Sequence, residues 1–357
     1  MRTLMSIKEL SVAGLTGLLA LSLSACDKTG GGVTILSAEE NFKVTVDTQP
    51  RPVDIMWVID NSGSMQSSQN NLTSNFNSFI QDFVTLNYDF RMVTSASDTW
   101  FEPFNSNQLY SSRWRQGNRA SSNPTNSGVF VMNKTTPSLN QVFTTNAAVG
   151  INGNGDERAF ASMQRSLNNT ANADFRRSNA FLAVIIVSDE EDFSRTDSSF
   201  SENYNDPKLI PVSSYVSYLD TLTASNSTNR KDAYQVNAIY IKDQACLTQL
   251  GNSTQKIAQR YGQIADITGG VKASLCDPFN TVLQSIKDKI LVASAVFKLD
   301  REPKAGSIVV KVNGAVLAES ATTWQYDATV NSIRFSPQAV PAADDKISIT
   351  YDPKTLL

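Results

Sequence analysis

Two stretches of the chain are apolar almost without interruption. Val53-Asp54-Ile55-Met56-Trp57-Val58-Ile59 and Phe181-Leu182-Ala183-Val184-Ile185-Ile186-Val187 are of strand length. Parallel strands covered on both faces require unbroken apolar runs of this kind. Shorter apolar blocks at 90–94, 128–132 and 236–241 read as further strands, and 271–275 as a short edge strand. Elsewhere the period lengthens. Phe76, Phe79, Ile80 and Phe83 share one helical face, and 138–147, 159–167, 215–222, 257–264 and 279–291 also read as helices. Strands alternating with helices at this spacing predict an α/β fold on a doubly wound, mostly parallel sheet.

The pattern changes after residue 294. Short alternating strands at 308–312, 324–326, 333–335 and 347–351 are separated by Asn313-Gly314 and by Pro337, Pro341 and Pro353. Residues 294–357 are expected to form a small C-terminal all-β domain, too short to carry a helix layer. Residues 42–46 also alternate and are a strand candidate available to it, although pairing between consecutive strands is the simpler default. The expected division is 1–25, 26–49, 50–293 for the α/β domain, and 294–357.

Composition narrows the chemistry. The 357 residues include no histidine, which excludes Ser-His-Asp and Cys-His nucleophiles, histidine zinc sites and the usual general base. Three cysteines are too few for a four-cysteine zinc or iron–sulfur site. A net charge of −3 offers no basic stripe for nucleic acid. Any metal is expected to be hard and oxygen-bound.

The amino terminus accounts for one cysteine. Arg2 and Lys8 precede an apolar stretch at 10–23, too short to span a bilayer but suited to a signal peptide. It ends in Leu23-Ser24-Ala25-Cys26, which resembles the bacterial lipobox. The resemblance implies cleavage before Cys26, lipidation of that cysteine and a protein tethered in the bacterial cell envelope. Asp27 resembles an inner-membrane retention signal, which leaves open sorting to either membrane or the cell surface. Gly30-Gly31-Gly32 belongs to a flexible tether. In an oxidising compartment the remaining pair, Cys246 and Cys276, is most simply one disulfide.

Asp60-Asn61-Ser62-Gly63-Ser64 follows the first buried strand directly. Open α/β sheets bind ligands at the carboxyl ends of their strands. A tight turn there presents one carboxylate and two hydroxyls to a point. Asp189 ends the second apolar strand and would face Asp60 if the two strands are neighbours. This oxygen set suits Mg²⁺, Ca²⁺ or Mn²⁺. Capping of the first helix by Asp60 and Ser62 is the plainer alternative, but capping does not call for Asp189. Glu190, Glu191 and Asp192 are expected to be a solvated cluster at a helix amino terminus.

Asp60-x-Ser62-x-Ser64 after this strand, Asp189 downstream and the Ile267-Thr268-Gly269-Gly270 segment together look like the von Willebrand factor type A (vWA) domain with its metal-ion-dependent adhesion site. The resemblance covers about residues 50–292 and implies the vWA fold, a Rossmann-like doubly wound sheet. It implies that Ser62 and Ser64 bind a divalent metal directly and that Asp60 and Asp189 bind directly or through water. An acidic group of a protein or polymer partner would take the open position. The family's third loop offers a threonine, whereas this chain reads Gly150-Ile151-Asn152-Gly153-Asn154-Gly155-Asp156-Glu157. Counting back from Phe160 puts Asn154 or Asp156 at the vacant position.

The sequence therefore points to a lipid-anchored, metal-dependent binding module. One alternative is a structural envelope protein with a degenerate metal site. Another is an Asp60-dependent phosphohydrolase, since Asp60 superficially resembles the nucleophile of haloacid-dehalogenase phosphatases. That family wants a second aspartate two residues on, where Ser62 stands. Residues 96–127, rich in Ser, Asn and Arg but carrying Trp100, Phe101, Phe104, Tyr110 and Trp114, are expected to wall the metal face. Replacing Cys26 with Ser should move the protein from the membrane fraction to the soluble fraction of cells; continued membrane retention would exclude the lipobox reading.

Overall fold

The computed structural model describes residues 43–120, 123–251 and 255–355. The signal segment and the lipidation candidate Cys26 lie outside the described residues. The chain enters through β1 (Val44–Thr48). Pro50 and Pro52 then interrupt the run of amide donors, and the chain passes to a second sheet. That sheet contains β2 (Val53–Ile59), β3 (Phe90–Ala96), β4 (Met132–Asn133), β5 (Phe181–Ser188), β6 (Tyr234–Tyr240) and β7 (Lys272–Ser274). Their spatial order is β4-β3-β2-β5-β6-β7, and every pair is parallel except β3 with β4.

Seven α-helices among the described residues lie between these strands, α1 (Gln66–Thr85), α2 (Leu139–Ala147), α3 (Ala159–Asn168), α4 (Val212–Leu222), α5 (Arg230–Ala233), α6 (Gln244–Leu250) and α7 (Arg260–Thr268), and α8 (Phe279–Ser294) follows β7. The side-chain period of two divides β2 between two cores. Ile55, Trp57 and Ile59 pack toward α1, α2 and α8. Met56 and Val58 pack toward α3, α4 and α7. Both faces of the sheet are therefore covered, which is why β2 and β5 are apolar without alternation. The exception, Asp54, is fully buried near the amino end of β2. Arg177 meets it at 2.8 Å and Arg176 at 3.4 Å.

The C-terminal region is all-β apart from a short 3-10 turn. β1, β13 (Ile347–Tyr351), β9 (Val309–Val312) and β10 (Ala315–Leu317) form one antiparallel sheet in that order, and β11 (Trp324–Asp327), β12 (Ser332–Phe335) and β8 (Val296–Lys298) form another. The early strand candidate thus joins the last strand of the chain, with Val44 opposite Tyr351. Asn313-Gly314 is a hairpin turn as well as a separator. Both residues have positive φ, 51° and 84°, as the turns that match strand twist require. Val310, Trp324, Ile333, Phe335 and Ile349 belong to the same apolar cluster as α1 and α8, so the β region and one face of the α/β sheet share a core.

Two of the expected elements have other bounds, and β8, β10, α5 and α6 were not expected. The strand at 128–132 reduces to β4, because the Asn146 side chain takes the Val129 carbonyl at 2.8 Å. The helix at 257–264 instead begins at Arg260 and runs to Thr268. Glu191 accepts the Gln259 and Arg260 amides and so sets its start. No helix among the described residues is long and apolar enough to cross a membrane.

Cys246 and Cys276 are joined, with 5.5 Å between their Cα atoms and a sequence separation of 30. Closing a loop of that size restricts the unfolded chain by roughly 3–4 kcal/mol. Replacing both cysteines with Ser should lower the urea-unfolding free energy by about that amount while leaving the circular dichroism of the folded protein unchanged.

Candidate metal centre

β2 and β5 are parallel neighbours with Ile59 opposite Val187, and the Asp60 amide donates to the Val187 carbonyl at 2.9 Å. The chain leaves β2 through α1 on one face and reaches β5 after α3 on the other. Their carboxyl ends therefore flank the crevice that open sheets use for ligands. Asp60 curls back to accept the Ser62 amide at 2.8 Å and the Ser188 hydroxyl at 2.6 Å. The Ser62 and Ser64 hydroxyls are 3.2 Å apart, and Ser64 donates to Asp189 at 3.1 Å. Asp60, Ser62, Ser64 and Asp189 are thus brought to one place. Neither Ser62 nor Met65 makes a side-chain cap to the helices that follow, so the turn is not organised as a helix cap.

The supporting contacts were not visible in the sequence. Gln69, one turn into α1, donates to the carbonyls of both Asp60 and Gly150 at 2.8 Å, binding the first loop to the third. The Gly153 amide donates to the Asn61 carbonyl at 2.8 Å. A Cβ on Gly153 would stand 2.4 Å from the Asn61 side-chain nitrogen, so only glycine permits this approach. Gln255 donates to the second oxygen of Asp189 at 2.6 Å.

The third loop arranges its acids differently from the count based on Phe160. The Asn154 side-chain oxygen accepts the Asp156 amide at 3.0 Å. Asp156 is engaged by Arg158 at 3.1 and 2.5 Å, and Arg158 lies 3.7 Å from the centroid of the Trp100 ring. The carboxylate of this loop that interacts with Asp60 is Glu157, which the sequence reading passed over. Glu157 is 2% exposed, and the Ser97 hydroxyl is the group that favours its ionised form.

The acidic run after β5 also differs from expectation. Glu191 and Asp192 are buried, not solvated. Asp192 accepts the Phe160 amide at 2.9 Å and pairs with Arg260 at 3.3 Å, and Glu191 caps α7. The run serves the amino termini of two helices that are distant in sequence.

Residues from 96–127 adjoin both loops. Asp98 accepts from the Asn61 side chain at 2.9 Å and pairs with Arg115 at 3.4 Å, both charged groups fully buried. The Trp100 indole donates to the Asp156 carbonyl at 3.0 Å. Beyond Arg158, Trp100 and Phe104 help line a cleft of about 740 Å³ that contains none of Asp60, Ser62, Ser64 and Asp189.

Charge in the crevice is unbalanced. Burial pushes the Asp60 carboxyl well above the usual carboxylate range, and repulsion from Asp189 adds to it; bonds from Ser188 and Ser62 oppose the shift. Asp189 is raised by burial against bonds from Gln255 and Ser64. Glu157 is raised by burial and then by repulsion from Asp60, with the Ser97 hydroxyl opposing. Glu190 is pushed up to about 8 by burial, then by Asp60, Asp189 and Glu202, against Lys256.

Among the described residues no group of three or more His, Cys, Asp or Glu side chains is disposed to hold a metal ion. The donor set consists of two carboxylates and two hydroxyls, all oxygen. These residues fit a hard divalent cation.

No protein-family model and no curated protein matches the chain. Among solved structures, the pilus adhesin SpaC from Lactobacillus rhamnosus GG in its open conformation is similar at 12% identity and TM-score 0.41, covering 87% of this chain and 40% of that one. Proximal thread matrix protein 1 from the mussel byssus is similar at 10% identity and TM-score 0.39, covering 72% and 52%. The chain thus spans about half or less of the length of these proteins. Likeness at this level carries no conclusion about fold family or function.

Glu190 binds its proton more tightly in the folded chain than in the unfolded one, where its value is near 4.5. Its contribution to the stability of the metal-free protein is therefore fully present below that value and is lost as pH rises toward about 8. With no histidine in the chain, the ordinary titration of that window is missing. In chelator, the urea midpoint should fall between pH 5 and pH 8, and excess Ca²⁺ should flatten the fall. A flat profile in chelator would contradict the charge imbalance.

Proposed function

We propose that this protein is a metal-dependent binding module of the bacterial cell envelope, anchored by lipid at Cys26. In this reading its α/β region is a vWA domain. Asp60, Ser62, Ser64 and Asp189 hold Mg²⁺ or Ca²⁺, with Mn²⁺ a third candidate. A protein or surface polymer completes the ion's coordination, by an acidic group if the family's habit holds. The observation that carries the reading is convergence: the Asp-x-Ser-x-Ser turn ends β2, Asp189 follows the end of the neighbouring β5, and Ser64 meets Asp189 at 3.1 Å. The Cys246–Cys276 disulfide supports an oxidising, exported location. Recognition of this kind asks the bound ion for a coordination position and nothing more of the chain.

A second reading, a structural protein with a degenerate site, draws on the missing threonine of the third loop and the absence of a three-carboxylate group among the described residues. Calorimetric titration separates the two. The metal-binding reading expects saturable binding of one divalent ion, weakened at least about 100-fold by Asp60→Asn, as removal of a direct or water-bridged carboxylate entails. No affinity for Mg²⁺, Ca²⁺ or Mn²⁺ would favour the structural reading. Crosslinking in cells with and without chelator should then report the partner.

A further inference from the structure

Several aromatic side chains of residues 96–127 pack on one another. The Trp100 ring centroid lies 5.0 Å from Phe101 and 6.2 Å from Phe104, and Phe101 lies 6.0 Å from Phe104. Tyr110 meets Phe101 edge-on at 5.0 Å. Phe104 is therefore held by two other rings, yet it stays 54% exposed. A lone exposed apolar residue is ordinary. This one lines the cleft of about 740 Å³, a size typical of small-ligand sites.

α3 supplies a second wall. Ala161, Gln164, Arg165 and Asn168 line the cleft, and their spacing of three, one and three residues puts them on one helical face. The two walls are tied together. Asn169 donates to the Ser112 hydroxyl at 2.8 Å, Ser112 donates to Glu102 at 2.5 Å, and Glu102 lies 3.6 Å from Arg165. The cleft is thus formed without a ligand, which lowers the cost of binding one.

The charges of its lining are matched. Arg158, Arg165 and Arg195 line it, and each has an acid, respectively Asp156, Glu102 and Asp197. The lining therefore does not call for a carboxylate or a phosphate. The groups open to a ligand are polar. Gln164 is half-buried and Thr170 and Thr196 are exposed, and among the described residues their side chains hydrogen-bond to no protein group. At 3.6 Å from Glu102, the Arg165 guanidinium is beyond hydrogen-bond range of it. Amides and hydroxyls both donate and accept. An uncharged ligand rich in hydroxyls, with one apolar face, satisfies the ring and the polar groups together.

We propose that this cleft is a binding site for a neutral oligosaccharide. A pyranose ring lays its C–H face on Phe104, and its hydroxyls bond to Gln164, Arg165, Thr170 and Thr196. Asp60, Ser62, Ser64 and Asp189 lie outside the cleft, so the site needs no metal ion. It goes beyond the metal-binding reading and survives that reading's failure.

The test uses the full chain in a detergent without a sugar headgroup, with chelator present throughout. The protein is applied to an array of neutral hexose and N-acetylhexosamine oligomers beside uronate and sulfated oligomers, and binding is then quantified by calorimetry. Saturable binding of at least one neutral oligomer is expected. Phe104→Ala should weaken it by about 10-fold, the scale of an aromatic contact, and Gln164→Ala by about 3- to 10-fold. Both residues reach solvent, so neither change should shift the melting temperature. Asp60→Asn should leave binding intact. Binding confined to charged oligomers would overturn the neutral assignment. Binding unchanged in both cleft variants would put the sugar elsewhere and overturn the site. Failure to bind any oligomer, or capture of peptides in their place, would overturn the proposal as a whole.

Discussion

The register between β2 and β5 is the constraint from which the rest of the crevice follows. Because Ile59 stands opposite Val187, the next residues on each strand, Asp60 on one side and Ser188-Asp189 on the other, leave the sheet together. Among the described residues no buried cation pairs with these acids. At the amino end of β2 the same strand carries Asp54, and two arginines answer it. One strand thus begins at a neutralised acid and ends in a loop whose acid is not neutralised. Gln69, Asn61 and Gly153 fix the loops in this arrangement although the acids repel each other.

That imbalance bears on what the crevice accepts. A divalent ion between Asp60 and Asp189 would be neutralised by those two carboxylates alone, before Glu157 and Glu190 are counted. A partner carboxylate would then enter a site already neutral, whereas a hydroxyl or carbonyl oxygen would add no charge to it. The resemblance to a family that captures acidic partners and the excess of buried acids around this crevice therefore pull in different directions.

Much of the scaffold was legible because its signals are local. The two apolar runs, the alternation with helices, the Asp-x-Ser-x-Ser turn and the strand-end Asp189 each occupy a few consecutive residues. What sequence could not show was decided by contacts between distant segments. Asp156 and Glu157 are adjacent and alike in charge; Arg158, packed over Trp100 from the inserted stretch, takes the first and leaves the second. Glu191 and Asp192 look like a solvated acidic run until the amino termini of α3 and α7 are placed against them. The late start of α7 has the same origin.

The pairing of β1 with β13 has a mechanical side. A pull applied at residue 43 and resisted at the Asp60 loop runs along β1, the short prolyl link and β2, with no other element in series. β2 is bonded along its length to β3 and β5. Tension along its axis therefore strains both ladders in shear, many bonds at once, instead of parting them one after another. The rest of the small β region hangs beside this line of force. A protein gripped at its amino end and holding a load in the crevice would thus bear it on the best-anchored strand of its fold.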